Sequence, residues 1–364
     1  MARALKTALI LGLLVLVNWL LPILIPNSYY FRVIMLCGIN IILAVSLNLV
    51  NGFTGQFSIG HAGFMAIGAY CSAVLTMRTF PGAIAALTGA GVPDVIAHGA
   101  ALLVATVLGG SLAALAGLAV GLPSLRLRGD YLAIVTLGFG EIIRIFLNNL
   151  SQPVNLTNGP QGITLIDPFR IGSFNFATPD KIGGLTFTGP IKYYYFLVLL
   201  VVVIIVINLR LQNSRIGRAW EAIREDEIAA RAMGINTRNM KLLAFAMGAS
   251  FGGISGGIFS ATQGFISPES FVLVESVMVL SMVVLGGMGN VFGVVLGAIL
   301  LSFVPEVLRY TVEPMQKALF GRMLIEPEVI RMLLFGLALV LMMLYRPAGI
   351  LPSALRKREL EMKR

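Results

Sequence analysis

Long apolar runs alternate with short polar breaks along most of this chain. The runs show no period-two alternation, and their length matches the roughly 20 residues a helix needs to cross a bilayer core. Apolar length predicts spans at 7–26, 31–50, 61–77, 95–121, 130–150, 191–209, 241–262, 271–286, 290–305 and 329–345. The 95–121 run has room for a long, bent helix. The runs at 271–286 and 290–305 are parted only by Gly286–Asn290, so they also read as one broken helix. The predicted fold class is all-α: a polytopic transmembrane helical bundle of about ten spans (8–10) in one membrane domain covering 1–364.

Composition agrees with lipid as the solvent. Hydrophobic residues make up 57% of the chain and charged residues 12%, with mean hydropathy +0.89. A soluble domain carries about 25% charged residues. The net charge of +10 would raise nucleic acid as a partner in a soluble protein. Here the basic residues gather on segments that one membrane orientation makes cytoplasmic, and no nucleic-acid partner is expected. Arg3 and Lys6 precede the first run, Arg215, Arg218, Arg224, Arg231 and Arg238 lie in the middle, and Arg356, Lys357 and Arg358 follow the last. Segments 151–190 and 306–328 hold few. Both termini are then cytoplasmic, segment 210–240 is cytoplasmic and loop 151–190 is periplasmic. Met1–Pro26 reads as a retained span rather than a cleaved leader. Cys37 and Cys71 fall inside apolar runs and read as packing residues. With them and the histidines His61 and His98, no metal-ligand spacing, cofactor site or nucleophile–base set emerges.

Small residues recur every four positions in two places. Gly248, Gly252, Gly256 and Ser260 form one row, beside Ala249, Gly253, Gly257 and Ala261; Gly109, Ala113, Gly117 and Gly121 repeat the pattern. Such rows let helix backbones approach closely in lipid. They read either as plain packing or as a face along which span 241–262 slides. The polar, glycine-rich stretch 51–60 cannot be a lipid-facing helix, because irregular backbone at membrane depth needs cover from protein or a wet cavity. It reads either as an interfacial loop or as a wall of a translocation path, with Asn48, Gln56, Ser58 and His61 as polar lining. His61 also reads simply as a packing residue. Glu141 and Arg144, three apart, share a helical face and are expected to pair. Glu275 is placed near the outer end of its span.

The hydrophilic segment Arg210–Lys241 is the most informative region. Glu227–Met233 contains no helix breaker, and Gly234 suits a helix end. Ile223, Ile228, Ala229 and Met233 are apolar among Arg224, Glu225, Asp226 and Arg231, so a short amphipathic helix is expected there. Its apolar face needs either the membrane surface or a groove on a partner.

Ile228–Gly234, IAARAMG, resembles the Ala-Ala-x-x-x-Gly core of the loop that ABC importer permeases dock onto their ATPases, with Ile228 where that pattern has Glu. Ser46–Tyr70, Gly129–Asn149, Leu156–Ile163 and Gly286–Ala298 resemble, in order, blocks of the LivM-type permeases of branched-chain amino acid importers. The resemblance spans about Asn40 to Pro352. It implies an ABC importer permease fold in a bacterial inner membrane, with leucine, isoleucine or valine as cargo. It implies a second related permease, two cytoplasmic ATPase subunits and a periplasmic amino-acid-binding protein as partners. Glu221, Glu227, Ala229, Ala230, Arg231 and Gly234 would then couple the chain to its ATPases. No Walker A pattern occurs, so the chain is expected to be a transporter subunit without its own ATP site rather than an enzyme. Urea or short amides remain an alternative cargo, and an ion-coupled carrier an alternative class.

Overall fold

The structure, a computed structural model, describes residues 27–352 apart from 125–126, 128, 152–154, 172–173, 183–184, 321–326 and 347. The expected first span, 7–26, and the basic residues of both tails lie outside the described residues. The long helices are α1 (Ser28–Asn48), α2 (His61–Val74), α3 (Phe80–Gly89), α4 (Asp94–Ser124), α5 (Asp130–Asn149) and α6 (Gly189–Gln212). They continue with α7 (Arg215–Glu225), the short α8 (Glu227–Ala232), α9 (Thr237–Gln263), α10 (Leu273–Gly286), α11 (Val291–Phe320) and α12 (Pro327–Tyr345). Each remaining predicted run coincides with one of these helices. Among the described residues, 6 helical stretches are long and apolar enough to cross a membrane: Ser28–Phe53, Asp94–Ser124, Gly189–Gln212, Thr237–Gln263, Pro268–Gly286 and Val291–Gln316. The described chain is therefore a helical, multi-pass membrane fold.

Contacts at the helix ends sort into two groups. At one end Trp220 donates through Nε1 to the Met240 carbonyl at 2.8 Å, and Gly289 N donates to Asn48 Oδ1 at 2.8 Å. Ile350 N bonds the Leu285 carbonyl at 2.9 Å at that same end. At the other end Tyr29 OH donates to Glu306 at 2.7 Å and Arg144 pairs with Glu269 at 2.7 Å. There too, the two-residue strands β1 (Ile163–Thr164) and β2 (Phe265–Ile266) pair antiparallel. Successive long helices thus run alternately up and down.

Close backbone approach builds the centre. In lipid, helices associate through packing and hydrogen bonds rather than through hydrophobic burial, which favours small residues at crossings. Gly248, Gly252 and Gly256 of α9 face Ser46, His61 and Met65 of α1 and α2. Gly253 faces Gly68 on α2 together with Gly109 and Ala113 on α4. A Cβ at Gly117 of α4 would lie 2.6 Å from that of Ala249. All three predicted rows therefore have members in helix crossings.

Two expectations change. Gly286–Asn290 is a hairpin turn, not a break in one helix: Gly286 of α10 packs on Gly293 of α11, and Met282 on Gly297, as in antiparallel neighbours. Gly287 and Gly289 there have φ of 115° and 87°, a region L side chains avoid. Helix α11 also runs past Pro305 and Pro314 to Phe320, well into the stretch 306–328 read as a loop. Proline is tolerated inside membrane helices because neighbours re-satisfy the freed backbone groups.

Candidate functional site

The first element of the site is the break between α1 and α2. Helix α1 widens into a π turn over Leu49–Phe53, and the chain then runs without regular structure to Gly60 before α2 begins at His61. The π turn is wholly buried. Its freed carbonyls find local partners: Val50 O accepts from Thr54 Oγ1 at 2.7 Å and from Gln56 N at 3.2 Å. Asn51 clasps Ser58 on both sides, accepting from its N–H at 3.1 Å and donating to its carbonyl at 3.2 Å. Ile59 N donates to Thr136 Oγ1 of α5 at 3.1 Å, and Ala62 N to Ser276 Oγ of α10 at 3.0 Å. His61 Nε2 lies 2.5 Å from Ser46 Oγ. His61 is level with Gly252, mid-way along α9. The break therefore carries irregular backbone to the middle of the bundle, mostly under protein cover, with Gly55 exposed at its elbow end.

The second element is a charged elbow. Ser214 caps α7 by accepting from Ile216 N at 3.1 Å and Gly217 N at 3.3 Å. Asp226 then turns the chain and caps α8, accepting from Ile228 N at 2.7 Å and Ala229 N at 3.1 Å. Helix α7 is anchored by the fully buried Trp220. Glu227 of α8 bridges Arg231 at 3.3 Å and Lys241 of α9 at 2.8 Å, the latter side chain largely buried. Arg224 reaches from α7 to the carbonyl of Gly52 in the π turn and packs on Gly55. Gly55 has φ +69°, and a Cβ there would meet Arg224 Cγ at 2.9 Å. The elbow thus touches the broken segment directly.

The predicted amphipathic face divides. Ile223 is buried against the bundle, whereas Ile228 and Met233 are 70% and 83% exposed. Two large apolar side chains of the charged segment therefore stay outside the packed bundle.

The third element is a cavity of about 790 Å³ at the end away from the elbow. Helices α1, α2, α10 and α11 form most of it. Its floor includes Leu43, Ala62 and Met65. Asn48, Gln56, Ser58 and His61 do not line it; they are buried. Asn48 Nδ2 and Gln56 Oε1 have no hydrogen-bond partner in the described chain.

From residue 29 to residue 346 the chain matches the family described as branched-chain amino acid transport system / permease component. The chain belongs to that permease family. It is 40% identical over 326 residues to the high-affinity branched-chain amino acid transport system permease protein LivM of Escherichia coli K12, covering 86% of this chain and 68% of the relative. A probable LivM of Methanocaldococcus jannaschii is 26% identical over 334 residues, covering 87% and 91%. The LivH permease of Salmonella typhimurium is 27% identical over 266 residues, covering 72% and 79%. No solved structure matches the chain.

In this permease the elbow residues picked from sequence do share one place. Glu227, Ala229, Ala230, Arg231 and Gly234 lie on or just after α8, and Glu221 lies on α7. Sequence reading missed Arg224, Trp220 and Asp226. Asp226 carried a signal, since Asp directly before a helix is a favoured N-cap. Arg224 carried none, because its partner is a carbonyl 172 positions away. The predicted Glu141–Arg144 pair exists, and Glu269 joins it from the 264–272 connection.

Proposed function

We propose that this chain is the membrane-spanning subunit of an ATP-driven importer of leucine, isoleucine and valine in a bacterial inner membrane. The observation that carries this is the 40% identity to a LivM permease across most of both chains. Similarity to LivH as well as LivM supports pairing with a second, related permease. The chain folds as one transmembrane domain over 1–364, with about ten spans and both termini cytoplasmic. Segment 210–240 then faces the cytoplasm and loop 151–190 the periplasm. That loop and the 264–272 connection, joined through β1 and β2, receive an amino-acid-binding protein.

Two cytoplasmic ATPase subunits supply the energy, and no ATP site is needed here. Ile228 and Met233 dock into a groove of one ATPase, while Glu221, Glu227, Ala229, Ala230, Arg231 and Gly234 hold the elbow in shape. ATPase closure shifts α7 and α8, and Arg224 passes that shift to Gly52 and the broken segment. Asn48, Gln56, Ser58 and His61 belong to the wall of the path below the cavity; the unpartnered amide atoms of Asn48 and Gln56 suit a wetted passage. Gly248, Gly252 and Gly256 hold α9 against that wall.

The test is uptake into proteoliposomes containing the complete importer, with labelled leucine and labelled urea. Leucine accumulates and urea does not. Ala230→Pro removes the Ala230 N to Asp226 O bond of 2.9 Å, at a cost of about 3 kcal/mol to α8. The variant inserts normally and loses uptake. Retained uptake in Ala230→Pro refutes the coupling role, and urea uptake refutes the cargo.

A further inference from the structure

We propose that the cavity between α1, α2, α10 and α11 is a transient binding site for a free aliphatic amino acid in its zwitterionic form, with Glu306 taking the ammonium and Arg309 the carboxylate. This rests on the importer reading above and adds where the cargo pauses inside this chain.

The size is right for a small solute. About 790 Å³ lies within the roughly 300–1,000 Å³ of small-molecule sites. The chemistry is divided in the way such a solute is divided. Leu36, Leu43, Met65, Met278 and Val279 give aliphatic and thioether walls. Two acids, Glu275 and Glu306, and one base, Arg309, also line it. A sugar would call for hydroxyl and amide groups spread over the wall. A neutral amide has no use for two carboxylates beside a guanidinium. Opposite charges close together beside an apolar wall match an ammonium and a carboxylate on one carbon bearing an aliphatic side chain.

The charged groups are held in place before any ligand arrives. Tyr29 OH donates to both carboxylate oxygens of Glu306, at 2.7 and 2.8 Å. Arg309 donates to the same Tyr29 oxygen at 2.9 Å and lies 5.7 Å from that ring's centre. The tyrosine therefore fixes the acid and the base relative to one another, which lowers the ordering cost of binding. Asn40 and Ser302, bonded at 2.9 Å, cross-brace α1 and α11 along the same wall. Beneath the floor at Ala62 the chain is shut by the Ser46–His61 contact of 2.5 Å. A solute entering from the loop end stops there.

The test is equilibrium binding of labelled L-leucine to the purified complete importer, without its binding protein. Wild type binds leucine, while 4-methylpentanoate and isoamylamine, each lacking one charge, compete about tenfold more weakly or worse. Glu306→Gln and Arg309→Gln each weaken leucine binding by about tenfold or more. Because either change also disturbs Tyr29, a second measurement uses Met278→Cys with Cys37 and Cys71 replaced by alanine. Leucine slows its reaction with a small thiol reagent, and isoamylamine does so less. If wild type imports leucine into proteoliposomes yet leucine neither binds nor slows that labelling, the cavity site is wrong and the importer reading stands. If wild type imports no leucine, the importer reading itself falls.

Discussion

Replacing Arg224 asks whether the elbow drives the bundle through one contact. Arg224→Ala removes the guanidinium that α7 lays against the Gly52 carbonyl. A hydrogen bond to a charged group contributes about 1.5–3 kcal/mol. The rest of α7 keeps its anchor, since Trp220 stays buried and bonded to Met240. The variant therefore assembles with its ATPases. If elbow and broken segment move as a unit, the lost bond bounds the lost coupling at about 1.5–3 kcal/mol, which is roughly 10- to 100-fold. Arg224→Lys keeps a charge but loses the planar fork, and is expected to fall between the two. The assay is leucine taken up per ATP hydrolysed in proteoliposomes with binding protein inside the saturating range. The ratio drops about tenfold or more in Arg224→Ala while ATP hydrolysis continues. An assembled Arg224→Ala importer with the wild-type ratio refutes transmission through this contact.

Other consequences follow from packing. A Cβ at Gly256 would overlap the Met65 backbone of α2, whereas one at Gly138 of α5 meets nothing within 4 Å. Gly256→Ala should destabilise by about 1–3 kcal/mol through overpacking, and Gly138→Ala should stabilise by about 0.5–1 kcal/mol through helix entropy. Thermal melts in detergent should separate the two in opposite directions, and equal melting would sink the crossing geometry. Trp220→Ala should cost about 3–5 kcal/mol, because it empties a fully buried site and removes the indole bond to the Met240 carbonyl. Protease cleavage between 213 and 236 should then rise sharply; unchanged cleavage would show that α7 is held by something else.

Helix positions were legible because apolar length is a one-dimensional signal. The runs at 31–50, 130–150 and 241–262 fall on α1, α5 and α9. The small-residue rows were legible for the same reason, since a four-residue repeat is written along one helix. Partnerships across the fold were not. Nothing in the sequence around Ile59 or Ala62 announces Thr136 and Ser276 as the hydroxyls that satisfy their N–H groups. The cavity was equally hidden, because Glu306 and Arg309 lie past the predicted span 290–305, in a segment where no helix was expected. Glu227 was found as a charged helix residue, but its bridge to the buried Lys241 needs the turn at Gly234, φ +84°, to bring α9 alongside.

Two breaks in the bundle explain why these parts belong together. The 49–60 break enters from the elbow end, and the 264–272 connection enters from the opposite end. They meet where Ala62 N donates to Ser276 Oγ, in the first turns of α2 and α10. Continuous helices would satisfy those backbone groups at no cost in side chains. Instead Asn51, Thr54, Thr136 and Ser276 are each committed to replacing helical hydrogen bonds. A fold selected only for stability has no reason to carry such a segment at mid-depth, where unsatisfied backbone costs several kcal/mol per group. The same stretch has Arg224 at its Gly52 end and the cavity floor at its Ala62 end. This short, irregular strap is tied to the bundle along its length by side-chain hydrogen bonds from Asn51, Thr136 and Ser276. It is also free of the helical ladder that would resist a change at either end. On the proposed coupling role, a shift of the elbow would reach the cavity floor through the residues from Gly52 to Ala62.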